Sequence, residues 1–198
     1  MNPINNYART VAGLGLLFMA SAVNAAWNLD SDASTLSFVS IKKDTVAEVH
    51  KFENLSGSVG DNGTVNIEIA LASVDTGISI RDERMRKMLF ETELFPKAMV
   101  SGDIDIENFS QLKPGQLQGE KLELSLSLHG KSKKFAAEVA VAKLEGKRLM
   151  VTTVKPIVIN AADFELVKGV EALRDVAGLP SISSAVPVTL NLFFEQDK

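Results

Sequence analysis

The sequence predicts an all-β, single-domain protein of about eight mainly antiparallel strands, with two short helices in the connections. Three observations carry that expectation. Apolar and polar residues alternate along most of the chain, as half-buried strands require. Turn signals separate the alternating runs at short intervals. Helical periodicity is confined to two stretches, residues 81–90 and 162–177.

The clearest strand places Val65, Ile67, Ile69 and Leu71 on one face, with Asn66, Glu68 and Ala70 between them. Leu122, Leu124, Leu126 and Leu128 follow the same rule, separated by Glu123, Ser125 and Ser127. The turn His129-Gly130-Lys131 leads to Phe135, Ala137, Val139 and Val141, and Glu145-Gly146-Lys147 leads to Leu149, Val151 and Thr153. These three runs form a meander. Weaker runs complete the set: Leu36 and Phe38 close to Trp27 and Leu29, Val46 to Phe52, Met99 to Ile106, and Val186 to Phe194 with Val188, Leu190, Leu192 and Phe194 on one face.

The first helix, Arg81 to Phe90, gathers Met85, Met88 and Leu89 on one side and sets Glu83 four residues before Lys87. The second, Ala162 to Ala177, has Asp163 as a candidate cap and a stripe of Leu166, Val170, Leu173 and Ala177. Gly178 and Pro180 end it. No repeat, low-complexity tract or linker divides the chain after residue 25. Eight such strands either close into a barrel or pack as a sandwich, and periodicity does not separate the two. Nor does it tell a hollow interior from one filled by side chains.

Residues 1–25 are of a different kind. Arg9 is their only charged side chain, an apolar run extends from Val11 to Val23, and Val23-Asn24-Ala25 supplies small or modest side chains at a cleavage position. The run is too short to span a bilayer, so it predicts a secretory signal peptide cleaved after Ala25 and a domain of residues 26–198 without stable membrane insertion. The expected destination is the periplasm. With no Cys in the chain, lipidation at the cleavage site, disulfides, thiolate chemistry and Cys-ligated metals are all excluded. The full chain carries 21 basic against 25 acidic side chains, and losing Arg9 takes its net charge from −4 to about −5. An acidic exported domain without basic clusters is a poor partner for nucleic acid.

Catalytic chemistry finds no foothold. The two His residues, His50 and His129, stand in a strand and a hairpin turn, outside any His-x-x-x-His or Glu-x-x-His spacing, and read as surface or satisfied structural side chains. No nucleophile elbow, P-loop or dinucleotide fingerprint follows residue 25. The chain thus implies no catalytic residue, metal or cofactor. Its one dense polar cluster is the helix Arg81-Asp82-Glu83-Arg84-Met85-Arg86-Lys87. It reads as a solvated helix face or as a polar collar at a barrel mouth. In the second case Arg81, with Arg84 beside it, would hydrogen-bond a ligand's carbonyl or phosphate, and Asp82 would orient the guanidinium.

Ser73 to Pro96, SVDTGISIRDERMRKMLFETELFP, resembles the YceI-like family pattern of a turn, an Arg-Asp helix and a Phe-Pro strand start. Similar pieces follow the family order elsewhere: AEVHKF at Ala47–Phe52, EKLELSLSLHGKSKKF at Glu120–Phe135 and NAADF at Asn160–Phe164. The likeness covers nearly all of residues 27–195. It departs at Arg84, where the family often has His, at Glu165, where it often has Gly, and at Met99 or Val100, where it often has Phe.

The resemblance implies an eight-stranded antiparallel lipocalin-like barrel in the periplasm. Its ligand would be an isoprenoid or other long-chain lipid, such as a polyprenyl lipid or quinone, held in the interior without catalysis. On this chain Phe38, Phe52, Ile67, Ile69, Leu124, Leu126, Val139 and Leu190 would line the tunnel. Met85 and Met88, with Phe90, would plug one end, and Arg81 would lie near the polar head. Two rival expectations stand beside this one: a filled barrel acting on a protein partner in an envelope stress response, and an enzyme working on a lipid head group. A homodimer through an uncovered strand is compatible with the sequence.

Overall fold

The computed structural model describes residues 25–196, and the signal segment expected over residues 1–25 lies outside that range except for Ala25. Every strand pairing is antiparallel. In chain order the strands are β1 (Ala25–Lys42), β2 (Val46–Phe52), β3 (Leu55–Gly60), β4 (Thr64–Ala70), β5 (Val74–Asp75), β6 (Lys97–Asp103), β7 (Leu117–Leu128), β8 (Lys131–Lys143), β9 (Arg148–Thr153), β10 (Ile157–Asn160) and β11 (Ala185–Gln196). Three short helices interrupt them: α1 (Ser79–Arg84), α2 (Glu107–Ser110) and α3 (Val167–Val176).

The strands close into a ring, β1-β3-β4-β6-β7-β8-β9-β11, completed by the pairing of β11 with β1. Eleven segments therefore make eight walls, because three walls are broken in the middle. β2 runs into β3 across Glu53-Asn54, and the two flank opposite ends of the same edge of β1. β5 continues β4 after a single 3-10 turn, Leu71–Ser73, and pairs with β2. β10 continues β9 and pairs with β11. The barrel expected from the resemblance is present, and closure removes the edges that a sandwich would expose.

Register turns alternation into a lining. Ile67 sits opposite Val100, which sits opposite Leu126. On the far side Leu190 pairs with Leu36 and Leu36 with Phe52. Residues opposite one another share a face, so these side chains meet inside. The β7–β8 hairpin needs both His129 (φ 50°) and Gly130 (φ 73°) in left-handed conformations, the geometry of a type I′ turn.

The structure corrects the helices in detail. The first begins at Ser79 and passes into a π-helical turn over Met85–Leu89, closed by Phe90 N–H donating to the Met85 carbonyl at 2.9 Å. That extra residue per turn buries Met85 and leaves Met88 half-buried. The second element is two pieces. Asn160, not Asp163, caps the 3-10 turn Ala161–Phe164 by accepting from Ala162 N–H at 3.0 Å. Glu165 then takes a left-handed conformation (φ 57°) and α3 follows. The strand expected over Met99–Ile106 lies at Lys97–Asp103, and α2, which periodicity did not reveal, follows it.

α3 packs directly on the π-helical turn. A Cβ at Gly169 would stand 2.7 Å from the Met88 carbonyl oxygen and 2.8 Å from Leu89 Cα, so only glycine permits this approach. α1, its π-helical continuation and α3 together form a roof over one end of the barrel. Among the described residues no helix is long and apolar enough to cross a membrane.

Candidate functional site

Beneath that roof the barrel encloses a cavity of about 400 Å³. This lies within the usual range for small-ligand sites, ~300–1,000 Å³. At the opposite end Trp27, Phe109, Val141 and Leu149 are buried but do not reach the cavity. They make a packed floor. Phe109 comes from α2, so the element missed in the sequence supplies part of the plug. Lys143 lies over the Trp27 ring, 4.8 Å from its centre, and burial lowers the pKa of its ammonium.

Phe38, Phe52, Ile67, Ile69, Leu124, Leu126, Val139 and Leu190 line the cavity, as do Arg81 and Met85. Met88 does not, because its backbone lies against Gly169; Leu89, one residue on, faces the cavity instead. Phe90 also lines it and its ring stands 5.6 Å from that of Phe52. Of Met99 and Val100, Val100 faces inward and Met99 does not.

Polar groups reach the cavity mainly at one end, where β1, β2 and α1 meet. Ser40 and Lys42 come from β1, Glu48 and His50 from β2, and Arg81 and Arg84 from α1. Strand alternation puts Glu48, His50 and Phe52 on one face, so the polar end grades into the apolar wall along a single strand. Glu48 Oε2 accepts from Lys42 Nζ and from Arg81 Nη1, each at 2.6 Å. Arg81 Nη2 also donates to the Thr76 carbonyl at 2.6 Å. Asp82 does not reach Arg81 as the sequence suggested; its Oδ1 accepts from Thr76 N–H at 2.9 Å and from the Thr76 hydroxyl, pinning the start of the helix.

His50 is buried, with 3% of its surface exposed, which its strand position alone did not announce. Its Nε2 shares a 2.8 Å hydrogen bond with Ser40 Oγ, and its ring lies 5.2 Å from Phe38. Burial, reinforced by the Arg81 charge, lowers its pKa, so at neutral pH the imidazole is uncharged. The hydrogen bond from Lys42, followed by the positive charges of Arg81 and Lys42, outweighs desolvation and lowers the pKa of Glu48.

The other histidine belongs to a separate cluster. His129 Nε2 contacts Glu91 Oε2 at 2.8 Å and its ring tilts against that of Phe95, with 4.3 Å between the centres. Lys131 meets Glu165 at 2.7 Å beside it. These contacts tie the roof segments to the β7–β8 hairpin. Among the described residues no group of three or more His, Asp or Glu is placed to hold a metal ion. The site as built can surround an apolar chain and offer hydrogen-bond donors and positive charge to one end of it.

A family model described as the YceI-like domain matches residues 27–194. A solved polyisoprenoid-binding domain from Saccharophagus degradans, implicated in plant cell wall breakdown, superposes with a TM-score of 0.86 at 39% identity, covering 88% of this chain and 100% of that one. Burkholderia cenocepacia BcnA follows with a TM-score of 0.64 at 20% identity, over 83% of this chain and 98% of its own. The Campylobacter jejuni YCEI protein matches with a TM-score of 0.55 at 14% identity, over 75% of this chain and 85% of its own. At these identities the last two show the fold alone. No curated protein matches the chain.

Proposed function

This chain belongs to the YceI-like family, and on that premise we propose that it is a periplasmic, non-enzymatic carrier of an isoprenoid-type lipid. The observation that carries the reading is the closed barrel with an apolar hollow of about 400 Å³ and a polar group at one end. A filled barrel working only through its surface has no use for such a hollow, so the cavity favours the carrier over that rival. The relative from Saccharophagus degradans, which shares 39% of its residues with this chain, is described as polyisoprenoid-binding, and that supports the ligand class.

The energetics suit an unreactive tail. At about 30 Å³ per water-sized unit, the cavity accepts on the order of a dozen chain atoms. At roughly 0.8 kcal/mol per methylene, their burial contributes about 10 kcal/mol before the cost of association. Few polar contacts are then needed. Arg81 and its neighbours hold the head, and the strand faces hold the chain.

Organic extraction of the purified native protein, read by mass spectrometry, tests the proposal. A long-chain lipid near one equivalent is the expected result, and its absence would favour the surface-acting rival. Leu126→Asp places a carboxylate on the apolar wall, where a charge must be desolvated. We expect the variant to fold and to lose at least nine-tenths of its lipid. A folded variant that retains the full complement would remove Leu126 from the binding wall.

A further inference from the structure

From the arrangement of charges at the roof end we infer that the polar end of the cavity is an anion subsite, built for the carboxylate or phosphate-monoester head of a lipid rather than for a neutral quinone or alcohol. The inference rests on the carrier reading and names the head group that reading leaves open.

Charge balance is the first support. Lys42, Arg81 and Arg84 all line the cavity, and Glu48 is the only carboxylate that does so among the described residues. Lys42 and Arg81 both bond the same oxygen of that carboxylate, at 2.6 Å each. One negative charge thus serves two cations, and Arg84 adds a third. The Asp82 carboxylate next to them accepts from Thr76 and does not line the cavity, but its charge still acts on the cluster, so three cations stand against two carboxylates with a surplus of one. Lys42 and Arg81 are each three-quarters buried, which weakens the screening of their surplus charge by water.

Unmet hydrogen bonds are the second support. His50 Nδ1 and Arg81 Nε are buried and have no partner in the protein. Leaving a buried donor unsatisfied costs about 1–3 kcal/mol, and of the four such atoms among the described residues these two belong to side chains that line the cavity. Ser40 Oγ–H can donate to His50 Nε2, which puts the ring proton on Nδ1. Both unmet atoms are then donors. A carboxylate or phosphate head seated against Lys42, Arg81 and Arg84 neutralises the excess positive charge. A quinone carbonyl or an alcohol accepts a hydrogen bond but leaves the charge uncompensated. The apolar wall beginning at Phe38 and Phe52 directs the rest of the molecule inward.

The test compares probes with one tail and different heads, using the lipid-stripped protein of residues 26–198 in isothermal titration calorimetry at low salt. Farnesyl monophosphate is expected to bind at least tenfold more tightly than farnesol, with inorganic phosphate alone below detection. The ratio should fall toward one in the Arg81→Met/Arg84→Met double variant, and should shrink as salt is raised. Arg84→Met alone leaves the Arg81 contacts in place and is expected to reduce the ratio by about half if the double variant does not fold. Equal affinity for farnesyl monophosphate and farnesol would overturn the anion subsite while leaving the carrier reading intact. Phosphate binding as strongly as farnesyl monophosphate would also overturn it, by showing a site for the free ion. Failure of both farnesyl probes to bind would overturn the carrier reading and this inference with it.

Discussion

At the floor of the barrel Trp27, Phe109, Val141 and Leu149 fill the space between the walls; at the roof Leu124, Leu126, Val139 and Leu190 surround a hollow. Both ends are made by the same eight walls with the same alternation. Alternation decides which side chains face inward, and it is silent on whether they meet. At the floor, the bulk of Trp27 and the Phe109 plug from α2 complete the contact. At the roof, α1, the π-helical turn and α3 lie across the end and cover the space without filling it. The floor can therefore be read as the stabilising half and the roof as the half that binds, exchanges and responds to its surroundings.

The largest effect that would break this division is expected at the floor. Trp27→Ala should cost about 3–5 kcal/mol and lower the melting temperature by about 10 °C, with the lipid content of the folded fraction unchanged. Calorimetry and extraction on the same sample check both parts; loss of lipid with an unchanged melting temperature would reverse the roles of the two ends. At the roof, Gly169→Ala should push α3 from the π-helical turn, because the added methyl meets backbone rather than a flexible side chain. An overpacking cost of about 1–3 kcal/mol should come with faster release of bound lipid, measured by transfer to vesicles. Unchanged release would separate α3 from gating.

A smaller effect follows from His50. Its pKa is lowered in the folded protein, chiefly by burial and next by Arg81. The unfolded chain takes up that proton near pH 6.5, before the folded chain does. Its contribution to stability is thus present above about pH 6.5 and declines as pH falls through that value toward the lower folded pKa. The urea midpoint should be lower at pH 5.5 than at pH 7.5, and His50→Gln should flatten the difference. An unchanged slope in that variant would assign the acid sensitivity to other groups. The smallest change is expected from Glu165→Gly. Glu165 holds a left-handed conformation (φ 57°) that glycine adopts without strain, and its exposed pairing with Lys131 is weak compensation. The melting temperature should rise slightly, and a fall would show that the Lys131 contact matters more than the backbone.

Much of the fold was legible because strands and inward faces are local properties. The runs at Val65–Leu71 and Leu122–Leu128 named their inward residues correctly, and Gly178 marked the end of the second helix. Met88 was misplaced because a π-helical turn has no counterpart in ordinary helical spacing. Asp163 was misread as a cap because Asn160, three residues earlier, offers the same chemistry. α2 is too short to show a period. The polar end escaped for another reason. Ser40, Lys42, Glu48 and His50 occupy inward positions that alternation reserves for apolar side chains, so periodicity alone does not assign them to a site. The parity that links Glu48 and His50 to Phe52 was the available signal.

The order of strands, the set of side chains turned inward and the presence of two helical connections follow from the amino-acid sequence, since each depends on neighbours a few residues apart. Closure depends on Leu36 meeting Leu190 across almost the whole domain, and no local pattern encodes that pairing. The hollow, its floor and its charged end exist only once the walls are closed, because empty volume and unbalanced charge are properties of packed neighbours brought together from distant parts of the chain.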